Sequence, residues 1–173
     1  MARYKRGRGL PLAVIDNTLL TRLDALGVAV FLPLLFDQIL IPPEVKREAF
    51  KAPHKSKRRV QKLINESAGF IVICTEADEV VKNFLRADLD EGEAAAIAQA
   101  EATQAHLLID EKEGFKRAQL MEIKAVRTLQ LLNMLKEVGA IATVKPLYHV
   151  LKKTGFHVSD EVLNMFLAAA GEE

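Results

Sequence analysis

Asp16, Glu48, Glu93 and Asp110 are the residues of this chain whose types and settings could do chemistry together. Asp16 closes the apolar run Ala13-Val14-Ile15, and Asp110 closes Leu107-Leu108-Ile109. In an open parallel sheet the binding crevice lies at the carboxyl ends of the strands, so an acid that ends a strand points at it. Glu48 follows Val45 by three positions and Glu93 precedes Ile97 by four, which puts each acid on the helical face its apolar neighbour turns toward a sheet; Glu44 falls off that face. Carboxylate oxygens are hard ligands suited to Mg²⁺ or Mn²⁺. A cation held this way polarises a phosphodiester, lowers the pKa of a bound water and stabilises the leaving oxygen during in-line attack. Each acid also has a purely structural reading. Asp16 and Asp110 suit helix N-caps, Asp110 with Glu113 and Asp90 with Glu93 have capping-box spacing, and Glu48 suits a surface partner on a basic helix. Only the four taken together single out a shared site.

Other chemistries find less support. His54, His106, His149 and His157 form no close pair and no cluster with Cys74, which disfavours zinc. Cys74 ends the apolar run from Phe70 and reads as a buried, inert thiol. No Gly-x-Gly-x-x-Gly turn and no Gly-rich loop ending in Gly-Lys-Ser or Gly-Lys-Thr is present, and Ser56, Ser67 and Ser159 lack a nucleophile elbow.

The elements that must position the acids follow from apolar patterning. Strands are expected at 12–16, 38–41, 70–74, 105–110 and 123–126, and helices near 19–26, 31–36, 44–66 with a break at Pro53, 76–85, 92–104, 114–121, 128–138, 143–154 and 160–170. Apolar runs alternating with helices predict an α/β fold with a mostly parallel central sheet of about five strands flanked by helices. The whole chain, 1–173, is expected to form one domain, with a basic tail at 1–10 and a helical extension at 140–173 packed on it.

The chain is 50% hydrophobic and 27% charged, an ordinary globular balance. Its net charge of +1 hides an asymmetry: residues 1–8 carry four basic and no acidic side chains, residues 46–62 carry eight basic and one acidic, and 12 basic against 22 acidic remain elsewhere. Lys51, Lys55, Lys57, Arg58, Arg59 and Lys62 therefore form a candidate polyanion-binding surface on an acidic body, suited to a nucleic-acid backbone. Asp16 interrupts the first apolar stretch too early for a secretion signal, and no run approaches the roughly 20 apolar residues that span a bilayer. A cytoplasmic protein with no membrane partner is expected.

Four segments in order, Val14-Ile15-Asp16-Asn17-Thr18-Leu19-Leu20, Ile41-Pro42-Pro43-Glu44-Val45-Lys46-Arg47-Glu48, Leu89-Asp90-Glu91-Gly92-Glu93-Ala94-Ala95-Ala96-Ile97-Ala98 and Leu107-Leu108-Ile109-Asp110-Glu111-Lys112, resemble the PIN-domain nucleases, especially the branch that includes the VapC-like toxins. The resemblance implies a divalent-metal-dependent ribonuclease that hydrolyses RNA phosphodiesters. In it Asp16, Glu93 and Asp110 serve as direct or water-bridged ligands, Glu48 as a ligand or water-orienting group, and Thr18, Glu111 and Thr128 in support. It also implies a homodimer and, for a toxin, an antitoxin protein that covers the acidic cleft. The chain departs from the family pattern in several places. Near the fifth strand a Gly-Thr pair and another glycine soon afterwards are expected, whereas Arg127-Thr128-Leu129-Gln130 retains only the threonine; Phe115 stands where a basic residue is common, and Glu111 where a second aspartate is common. A non-catalytic nucleic-acid-binding or regulatory PIN-like module is the competing reading.

Overall fold

A computed structural model describes residues 9–51 and 54–172. Five parallel strands, β1 (Leu12–Ile15), β2 (Gln38–Ile41), β3 (Ile71–Ile73), β4 (His106–Leu108) and β5 (Ala125–Val126), form one sheet in the order β3-β2-β1-β4-β5. The chain moves from β1 outward through β2 to β3, then crosses to the other side of β1 for β4 and β5. Strand order therefore reverses at β1 and β4, and the crevice between their carboxyl ends is the expected ligand site of such a sheet. Every residue of β1 is buried, as its unbroken apolar sequence requires of a central strand covered on both faces.

Helices fill the connections: α1 (Asn17–Leu26), α2 (Pro43–Lys51), α3 (His54–Glu66), α4 (Glu79–Leu85), α5 (Glu91–Thr103), α6 (Lys112–Leu120), α7 (Thr128–Glu137), α8 (Lys145–Lys152) and α9 (Asp160–Ala169), with a 3₁₀ turn at Ala29–Leu34. The expected long helix at 44–66 is two helices, α2 and α3, and Pro53 between them lies outside the described residues. The helix expected from Glu76 starts instead at Glu79, because the Asp78 side chain accepts the Val80 and Val81 amide protons and caps it there. Proline opens α2, where its fixed φ and missing N–H cost nothing. Gly27 ends α1 at φ 68°, a left-handed conformation that glycine adopts without a Cβ penalty.

The alanines of α5 set the geometry of the centre. Ala94, Ala95, Ala96, Ala98 and Ala100 are all buried, and the helix packs on β1, β4, α2, α4 and α6 at once. Small side chains on every face allow that close approach, and a helix apolar all round is a buried one. In the C-terminal region α8 packs on α1 and α9 on α7. The Glu172 carboxylate fastens this region, accepting the Val144 amide at 2.6 Å, the Lys145 amide at 2.9 Å and Lys136 Nζ at 2.7 Å. Among the described residues no helix is long and apolar enough to cross a membrane.

Candidate active site

Asp16 directly follows β1 and is 3% exposed. Its backbone N–H continues the ladder to Leu108, and its Oδ1 accepts the Leu19 amide at 2.7 Å, capping α1. The capping role is real, and it commits one carboxylate oxygen only. Burial raises the Asp16 pKa well above the ordinary value; the charges of Asp110 and Glu111 push the same way, against the Leu19 amide and Arg22.

Asp110 follows β4 and does not cap α6, contrary to the capping-box reading with Glu113; Glu111 occupies the cap position without a side-chain hydrogen bond. The Asp110 carboxylate faces β5 and α1 instead. Its Oδ1 accepts the Thr128 amide at 2.9 Å, and its Oδ2 accepts the Thr128 hydroxyl and the Arg22 guanidinium. Arg127 Nη2 donates to the Asp110 carbonyl at 2.8 Å. Thr128 is thus a positioning residue for Asp110. Arg22 is a member of the site that sequence spacing missed; its only signal is a lone basic residue in the otherwise apolar and neutral face of α1.

Glu93 and Glu48 meet at the start of α5. Asp90 and Glu93 make the capping box their spacing predicts: Asp90 accepts the Glu93 amide at 2.8 Å, and Glu93 Oε2 accepts the Asp90 amide at 3.4 Å. Glu48, reaching across from α2, accepts the Gly92 amide at 2.8 Å. A side chain at position 92 would collide with Glu48, since a Cβ there would lie 2.4 Å from its carboxylate. Burial raises the pKa of both glutamates, with Asp90 adding to each; Glu93, which also feels Glu111 and Glu48, reaches about 6. Thr18 is half-buried in the first turn of α1, and Glu111 is exposed.

The charges of Asp110 and Glu111 act on Asp16 while those of Glu111 and Glu48 act on Glu93, so Glu111 links the strand-end acids to the glutamates at the start of α5. Among the described residues, however, no three His, Cys, Asp or Glu side chains are grouped closely enough to hold a metal ion as they stand. The donor chemistry does suit a hard cation. Asp16 has a second carboxylate oxygen uncommitted, and Asp110 uses three of the roughly four acceptor positions of a carboxylate. A cation here would also relieve the clustered charge that burial penalises.

Glu44, which lies off the Val45 face of α2, is nevertheless buried: at 2% exposure it is more buried than Glu48, and it accepts Lys82 Nζ at 2.7 Å. Lys82, wholly buried, also meets Glu79 at 2.5 Å. Burial works against its charge, but the hydrogen bonds to Glu44 and Glu79 outweigh it and raise its pKa. This ion pair joins α2 to α4, which steadies α2 and hence Glu48.

Of the basic segment, Lys51, Lys57, Arg58, Arg59 and Lys62 are exposed, and the Lys55 side chain lies outside the described residues. Lys57 sits over Phe50 at 5.4 Å, and Arg59 and Lys62 are within 3.8 Å of Asp24 and Glu66. Of the basic tail at 1–10, residues 1–8 lie outside the described residues.

The Glu93 shift has a measurable consequence. With its folded pKa near 6 against an ordinary 4.5, the folded state holds more protons than the unfolded state between those values, so stability falls as pH rises through them. In chelator, the Tm of wild type is expected to gain on that of Glu93→Gln as pH is lowered from about 7 to about 5. A Tm difference that stays constant across this window contradicts the shift.

A family model described as DUF3368, a PIN domain, matches residues 12–172. The chain belongs to the PIN-domain family, whose members are generally nucleases, a class of hydrolases. Among solved structures it is similar to a PilT N-terminus domain protein from the hyperthermophilic archaeon Sulfolobus solfataricus, with 15% identity over 86% of this chain and 97% of that one and a TM-score of 0.40. Among curated proteins none matches.

Proposed function

We propose that this PIN domain is a divalent-metal-dependent endoribonuclease whose centre is built from Asp16, Glu48, Glu93 and Asp110. The observation that supports it is the placement of Asp16 and Asp110 at the ends of β1 and β4, at the switch point of the sheet, with Glu111 acting on both Asp16 and Glu93. Asp16, Asp110 and Glu93 are the residues to hold Mg²⁺ or Mn²⁺. A bound cation supplies Lewis acidity toward the scissile phosphate and acidifies its water. Glu93 Oε2 is tied to the Asp90 amide, which leaves Oε1 to reach the cation or its water. Glu48, anchored by the Gly92 amide, orients the water, and Thr128 fixes the rotamer of Asp110. The exposed cations of α3 hold the RNA backbone without reading its sequence. We further place the chain in the VapC-like branch as the toxin of a toxin–antitoxin pair, acting in the cytoplasm as a homodimer that an antitoxin protein covers.

Purified protein incubated with single-stranded RNA and Mn²⁺ or Mg²⁺ is expected to cleave it, and Asp110→Asn to be inactive. Equal rates for the two under both metals would refute the nuclease reading.

A second reading has its own support. The Arg22 guanidinium already neutralises Asp110, as an internal cation would in a domain that binds nucleic acid without cutting it. In that case RNA binding survives Asp110→Asn and cleavage is absent from wild type.

Gly92→Ala separates the residues of the centre from the fold. Alanine is the better helix former by about 0.8–1 kcal/mol, so stability is expected to hold while the new Cβ expels the Glu48 carboxylate. Cleavage is expected to drop about tenfold or more, in the range for a group that supports metal ligands. An unchanged rate would remove Glu48 from the centre.

A further inference from the structure

Beside Asp110, between the strand ends and the C-terminal region, lies a cavity of about 330 Å³. Its size falls in the roughly 300–1,000 Å³ range of small-ligand sites. Arg22, Lys112 and Arg127 give it cations, while Phe156, Val158 and Phe166 give it an apolar wall. Two of those cations are flat and immobilised. The Arg22 guanidinium lies 4.8 Å from the ring centre of Phe156 and is paired at its edge with Asp110. The Arg127 guanidinium lies 4.9 Å from the ring centre of Phe115, and its edge is bonded to the Asp110 carbonyl. Arg127 and Phe115 are two of the departures from the family pattern, and in space they form one cation–ring pair.

We propose that this cavity is a nucleobase pocket: it takes one unstacked base of single-stranded RNA against the ring-backed guanidinium planes of Arg22 and Arg127. Guanidinium planes and aromatic rings are the surfaces on which single-stranded bases stack, and arginine held in one plane loses little freedom in doing so. A free anion fits the cavity poorly, because Asp110 and Glu111 share its lining and both guanidiniums are already bonded to Asp110. A wholly apolar ligand would leave Lys112 and the remaining guanidinium N–H groups facing it without partners. A nucleotide satisfies both halves, its base lying between the guanidinium planes and the apolar wall and its phosphate meeting Lys112. The segment from Gly155 to Val158 and helix α9 then set base preference. This inference rests on the nuclease reading for the direction of the RNA, though the binding itself does not require cleavage.

The test is a titration of the full ¹⁵N-labelled chain with AMP, GMP, CMP, UMP and ribose 5-phosphate, followed by amide chemical shifts. At least one nucleotide is expected to bind about tenfold or more tightly than ribose 5-phosphate, the scale of a single stacked base, and to shift the amides of 155–158 and 127–129. Arg127→Lys, which keeps the charge and loses the plane, is expected to reduce that advantage about tenfold; because it removes no buried apolar group, its fold can be checked by an otherwise unchanged spectrum. Ribose 5-phosphate binding as tightly as every nucleotide overturns the proposal in favour of a simple anion site. RNA cleavage by wild type with no nucleotide-induced shift around the cavity overturns the pocket and leaves the nuclease reading standing. Nucleotide binding in the cavity without RNA cleavage under Mn²⁺ or Mg²⁺ supports the pocket and removes the nuclease reading.

Discussion

Asp16→Asn is expected to abolish RNA cleavage and, in the absence of metal, to make the protein more stable at neutral pH. Both effects follow from one carboxylate. Asparagine is as good an N-cap as aspartate and keeps an oxygen for the Leu19 amide, so α1 retains its start. What disappears is a buried negative charge that Asp110 and Glu111 oppose. An acid whose folded pKa is raised above its unfolded one destabilises the fold once pH exceeds the unfolded value, so the relief persists at pH 7. Cleavage should fall by roughly 10²–10³-fold or more, the loss seen when one preorganised electrostatic group is removed from an active site. Thermal unfolding in chelator and single-turnover cleavage, measured on the same samples, check the two halves. A variant that is both less stable and fully active would mean that Asp16 is only a cap.

Lys82→Met is expected to cost about 3–5 kcal/mol of folding stability, the usual penalty for removing one partner of a buried ion pair. The loss arises because Glu44, itself buried, would keep only the half-exposed Arg47 guanidinium 3.7 Å away, and its Oε2 already lacks a hydrogen-bond partner among the described residues. For a chain of this size that corresponds to a fall in Tm of about 6–20 °C. Adding Glu44→Leu should restore most of it, since replacing both members of such a pair by apolar groups is often neutral or better. Urea denaturation of the single and double variants measures the coupling. A single variant within about 1 kcal/mol of wild type would show that the pair contributes little, the outcome usual for exposed pairs.

The residues readable from the sequence and those that were not divide along a physical line. Strand ends announce themselves locally: an apolar run that stops at an aspartate is visible at Asp16 and Asp110, and the five parallel strands follow from the same runs. The capping box at Asp90 and Glu93 is also a local pattern, and it forms as spaced. Side-chain partners distant in sequence leave no such mark. Arg22 meets Asp110 across 88 positions, and Lys82 meets Glu44 across 38. Helical periodicity placed Glu44 off the Val45 face of α2, but α5 packs on α2 and Lys82 reaches across from α4, so Glu44 is buried all the same. The Asp110 cap failed for a related reason: Thr128, brought alongside by the pairing of β4 with β5, competes for the same carboxylate and wins with two hydrogen bonds. The Arg127 and Phe115 departures were visible as exceptions, and only their proximity in space gives them a joint meaning.

The central claim, that these acids hold a catalytic cation, is tested most directly by a crystal soaked in Mn²⁺ and read by anomalous scattering. The result predicted is a peak bound by the carboxylates of Asp16 and Asp110 and, directly or through water, by Glu93, at metal–oxygen distances near 2 Å. The Arg22 guanidinium should then have moved off the Asp110 oxygen it now occupies. No peak at these carboxylates under saturating Mn²⁺, with Arg22 still seated on Asp110, would contradict the account and leave a domain that binds nucleic acid without cutting it.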